Sequence, residues 1–97
     1  MHPEIRLKIA KILADELLKS TKSEKRITKK NTKEILEIKV KLAELELAKF
    51  SSRGEEKLLE IQNNIEISQQ LIYDLQNEIE EILDQTRKLA ITLASFI

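Results

Sequence analysis

Ninety-seven residues, 41% hydrophobic with three aromatics and with 17 basic against 17 acidic side chains, describe one small, formally neutral domain whose core must be aliphatic. One Gly, one Pro and no Cys leave almost no turn punctuation, no disulfide framework and no thiolate to bind metal or attack a substrate. No stretch approaches the roughly 20 apolar residues of a membrane span, and the N-terminus lacks an apolar signal region, so a soluble, cytoplasmic protein is expected, with signal-independent secretion left open.

No segment alternates as a half-buried strand does, and the chain reads as all-α. Pro3 suits a first helical turn, and Glu4 with Lys8 and Asp15 with Lys19 are supporting pairs four apart, which places a helix over 4–19. The stretch "STKSEKRITKKNTK", Ser20–Lys33, then carries six bases against one acid and a single strong hydrophobe, Ile27. Like charges four apart (Lys22 with Arg26, Lys25 with Lys29, Arg26 with Lys30, Lys29 with Lys33) cost roughly 1–2 kcal/mol together, and the Ser, Thr and Asn residues add unfavourable propensity. Alone, 20–32 would fray, and it is the place where the first arm can break.

A second helix is expected over 33–50, supported by Glu37 with Lys41. One three-four register joins both pieces: Leu7, Ala10, Ala14, Leu17, Thr21, Glu24, Thr28, Asn31, Ile35, Ile38, Leu42 and Leu45. The turn falls at 51–54, around the only glycine, with Ser52 and Glu55 spaced as a capping box. The arm over 53–97 carries the clearest pattern. Leu58, Ile61, Ile65, Ser68, Ile72, Leu75, Ile79, Ile82, Thr86, Leu89, Leu93 and Phe96 step by three and four without interruption, the seam of a coiled coil or bundle.

Folding back at 51–54 makes facing residues sum to about 105 and sets Ser20–Lys33 beside Ile72–Gln85, which holds Asp74, Glu78, Glu80, Glu81 and Asp84 and no base. Residues 1–50 carry net +5 and residues 51–97 net −5, so a charge match between the arms is the favoured account of the basic strip. The expectation is a single domain, 1–97, forming an elongated antiparallel helical hairpin with arms 4–50 and 53–97; a compact three-helix bundle is the runner-up. Since two helices bury little, dimerisation into a four-helix bundle is expected, with Ile72, Leu75, Ile79, Ile82, Leu89 and Leu93 at the interface.

Chemistry is scarcely written in the chain. His2 is the only histidine and lies at the terminus, no Gly-rich loop could cradle a phosphate, and carboxylates such as Glu80, Glu81 and Asp84 on a heptad helix belong to its solvated face. No catalytic residue, metal site or cofactor is assigned. The layout resembles the small secreted WXG-type helical hairpins in length and in its central Gly, but Ser52, Arg53 and Gly54 stand where their Trp-x-Gly would be, so the resemblance implies no site residue. The expected function is a non-enzymatic interaction module, an adaptor, small structural component or inhibitor acting on another protein as well as on itself. The alternative is binding of nucleic acid or an anionic surface through 19–33, with Lys22, Lys25, Arg26, Lys29, Lys30 and Lys33 as the anion contacts.

Overall fold

The computed structural model describes residues 2–97. It is a helical hairpin of two elements, α1 (Pro3–Ser51) and α2 (Glu55–Ala94), joined by residues 52–54. Whether 20–32 joins the two helical pieces, left open by the sequence, is answered by the structure: α1 is one helix of 49 residues. Its packing against α2 resolves into two compact units, one made of residues up to Lys29 with Glu78–Ile97, the other of Lys30–Asn77.

The turn is built around one glycine. The Ser52 N–H closes the last turn of α1 on the Ala48 carbonyl at 2.9 Å, and the Leu58 N–H opens α2 on the Gly54 carbonyl at 3.2 Å. Gly54 is therefore the N-cap, two residues later than the Ser52 cap expected from the sequence, and the arm begins at Glu55 rather than 53. It has φ +102°, the one positive value among the described residues. Glu55 and Glu56 follow in the first turn of α2, where the helix dipole favours them.

In the unit Lys30–Asn77, the most buried apolar side chains are Ile35, Ile61 and Ile65, with Ile38, Leu42, Leu45, Leu58, Ile72 and Leu75 half-buried around them. Asn31 is only 1% exposed. A buried amide must find a partner, and its Nδ2 donates to the Leu75 carbonyl at 3.1 Å.

The other unit buries no large aliphatic side chain fully. Leu13, Leu17 and Ile27 of α1 and Ile79, Ile82, Leu89 and Leu93 of α2 are all half-buried, and the best buried residue is Ser20, 3% exposed. The Thr86 hydroxyl donates to the Ile82 carbonyl at 2.9 Å, which leaves its oxygen to accept from Ser20 at 2.6 Å. At the end of this unit the Arg6 guanidinium donates to the carbonyls of Ser95 and Phe96, both at 3.3 Å, capping the negative end of α2.

These contacts recover the expected pairing. Ser20 with Thr86 and Asn31 with Leu75 each sum to 106, against the 105 read from the turn position. All twelve seam positions from Leu58 to Phe96, eleven in α2 and Phe96 just beyond it, are buried or half-buried. The α1 seam is corrected at its N-terminal end: Leu7, Ala14 and Thr21 are exposed, and Leu13 and Ser20 face inward instead. A strict seven-residue repeat drifts by about 20° per heptad on a helix of 3.6 residues per turn. The step Ser20–Glu24–Thr28, two fours in succession, restores the phase.

Two substitutions isolate single causes. A Cβ at Gly54 would meet nothing within 4 Å, so Gly54→Ala is penalised by backbone conformation alone. It is expected to cost about 1–2 kcal/mol, lowering Tm by roughly 5–15 °C at the size of this chain. Thr28 Oγ1 is closed off from solvent with no hydrogen-bond partner. Thr28→Val keeps the shape and removes the orphan hydroxyl, so thermal unfolding followed by circular dichroism should show stabilisation of about 1 kcal/mol.

Candidate interaction surface

A seam between two helices covers one stripe of each and leaves the remaining circumference to solvent. The chain exposes 7756 Å². Large apolar side chains contribute to it. Leu36, Val40, Leu47, Phe50 and Leu59 in the turn-containing unit, and Ile5, Ile12 and Ile91 in the other, are each more than half exposed.

The residues expected at an oligomer interface lie elsewhere. Ile72, Leu75, Ile79, Ile82, Leu89 and Leu93 are half-buried along the seam of α2, where α1 already covers them in part. The apolar surface that stays open belongs to side chains that the seam-centred reading passed over. Its signal was present in the sequence as a second three-four series, Leu36, Val40, Ala43, Leu47 and Phe50, one position out of phase with the seam residue Ile35.

The six candidate anion contacts are all exposed: Lys22, Lys25, Arg26 and Lys29 in one unit, Lys30 and Lys33 in the other. Lys22, Arg26 and Lys29 are spaced by four and three and share one face of α1. None of the six is in an ion pair among the described residues, whose three pairs are Glu16 with Lys19, Asp84 with Arg87 and Asp84 with Lys88. Each of those lies within one helix, so the cross-arm charge match does not form as contacts. Helical spacing supplies the reason: Asp74, Glu78 and Glu81 follow one another on an outer flank of α2, turned away from the seam, as the bases are on α1.

Asp84 is the most engaged charge. Its Oδ2 accepts from Lys88 Nζ at 2.9 Å and its Oδ1 from Arg87 Nη2 at 2.7 Å. Hydrogen bonds from Lys88 and then Arg87 hold its carboxyl below the ordinary value of 3.8. Among the described residues no three His, Asp or Glu side chains gather as a cation site would require. His2 caps α1, its Nδ1 accepting from the Glu4 N–H at 3.2 Å. No helix among the described residues is long and apolar enough to cross a membrane.

The depressed carboxyl has a definite sign. Its pairing contributes in full above pH 3.8 and is lost as the pH falls through the lower folded-state midpoint. A carboxyl-detected NMR titration should place the Asp84 midpoint below 3.8, and Lys88→Ala together with Arg87→Ala should return it to the ordinary range.

Comparison with protein-family models, with curated proteins and with solved structures finds no match to this chain.

Proposed function

We propose that this chain is a non-enzymatic interaction module, an adaptor, small structural component or inhibitor that presents a helical face to other protein surfaces, its own copies included. The observation that carries this reading is the set of large aliphatic and aromatic side chains left open at helical spacing, Leu36, Val40, Leu47 and Phe50 above all. Contiguous exposed apolar surface of this kind marks a protein-binding face more often than an idle one. Helix-in-groove and helix-on-helix recognition both read anchors at these spacings.

A second reading draws on a different observation. The bases from Lys22 to Lys33 are exposed and unpaired among the described residues, which leaves them available to a nucleic acid or another polyanion. The strip has no aromatic side chain on which a base could stack, and the chain is neutral overall. Protein interaction is therefore preferred.

One capture experiment separates the two. The tagged full chain is used as bait in extract from the native host, with and without nuclease, beside Leu36→Glu/Leu47→Glu and Lys22→Glu/Arg26→Glu/Lys29→Glu variants. The proposal expects a protein partner that survives nuclease, is lost with the leucine variant and is kept by the basic-strip variant. Capture that is nuclease-sensitive and lost only with the basic-strip variant would overturn it in favour of polyanion binding.

A further inference from the structure

We propose that the outer stripe of α1, Leu36, Val40, Ala43, Leu47 and Phe50, is a self-association face on which a second copy of the chain packs α1 antiparallel to α1. The inference rests on the interaction-module reading and names one partner for it. Leu36, Val40, Leu47 and Phe50 are 64%, 55%, 71% and 91% exposed. Their spacing of four, three, four and three is that of a coiled-coil seam, although this stripe has no partner within the chain. It lies wholly in the turn-containing unit.

The charges choose the direction. Antiparallel coiled coils stack positions of the two classes of seam residue on each other, so the stripe pairs in a register where facing numbers sum to 83. Leu36 then meets the partner's Leu47, Val40 meets the partner's Ala43, and Phe50 lies under the stem and ammonium of the partner's Lys33, a favourable cation–π placement. On one flank Lys39 comes beside the partner's Glu46, and on the other Lys41 comes beside the partner's Glu44. Two-fold symmetry repeats each opposite-sign pair. Two like-charge approaches, Glu37 to the partner's Glu44 and Lys41 to the partner's Lys41 across the two-fold, share one flank, where each Lys41 also lies next to Glu37 of its own chain and to the partner's Glu44. A parallel pairing would instead set Lys33 against the partner's Lys33 in the seam.

Area is consistent with a weak dimer. The stripe offers roughly 500 Å² per copy for side chains of these sizes, about 1,000 Å² for the pair, which is at the lower bound for specific interfaces. These side chains are already open to solvent, so burying them requires no unfolding.

Sedimentation equilibrium of the full chain between about 5 and 500 μM, the range of weak association, should show the mass rising from 11.3 kDa towards twice that value. Leu36→Glu/Leu47→Glu should remain at the monomer mass throughout, with helicity and low-concentration Tm like the parent, because both side chains are exposed. Register is tested independently of stability. The chain has no cysteine, so mixing Leu36→Cys and Leu47→Cys chains under mild oxidation should yield the 36–47 disulfide at least about fivefold over 36–36 and 47–47. A monomer at every concentration, a dimer that persists in the glutamate variant, or predominance of the symmetric disulfides would overturn the proposal. If the chain stays monomeric yet still captures a nuclease-resistant partner through Leu36 and Leu47, this inference falls and the interaction-module reading stands.

Discussion

Two helices that meet along one line have a core only one layer thick, and every other property of this chain follows from that thinness. Ile35, Ile61 and Ile65 are the only buried large aliphatic side chains among the described residues, and Ile35 still keeps 9% of its surface in water. The remaining seam positions are half-covered, so each stabilises by a fraction of the 1.5–3 kcal/mol or so that complete burial of such a side chain provides. A chain with so shallow an interior cannot depend on hydrophobic burial alone to choose one alignment of its arms over another, since a seam of repeating Ile and Leu looks much the same when displaced by a heptad.

The polar residues in the seam remove that ambiguity. Ser20 finds a side-chain hydroxyl opposite Thr86, where a heptad to either side offers Ile79 or Leu93, while Asn31 donates to the main-chain carbonyl of Leu75, an acceptor that every turn of α2 repeats. Slide either helix by a heptad and the buried Ser20 hydroxyl loses its partner, at a cost of about 1–3 kcal/mol. Buried polar residues in coiled coils specify register in this way while lowering stability. The Thr28 hydroxyl, enclosed without a partner, shows the same interior giving up stability with no such return.

Much of this architecture is legible in the sequence because helical period and seam spacing are purely local properties. The α2 seam from Leu58 to Phe96 is recovered at every position, and the single glycine locates the fold-back. What escapes is phase and side. The slip near Ser20–Thr28 depends on accumulated drift between 3.5 and 3.6 residues per turn, which no single residue announces. Charge totals likewise say nothing about which flank of a helix carries the charge, so opposite strips that face each other in number, Ser20–Lys33 and Ile72–Gln85, form no ion pair across the arms among the described residues. The open stripe from Leu36 to Phe50 was visible as a spacing, but only the observed exposure distinguishes it from a seam already occupied.

Gly54 gives the turn a further significance. With α1 ending at Ser51 and α2 capped by Gly54 itself, the fold-back has no slack, and both arms are in effect numbered outward from that residue. Removal of one residue from either arm would rotate everything beyond it by about 100° and turn the seam towards solvent. Length changes within the arms that keep both seams in phase are therefore matched ones, such as a heptad lost or gained at mirrored positions in the two arms.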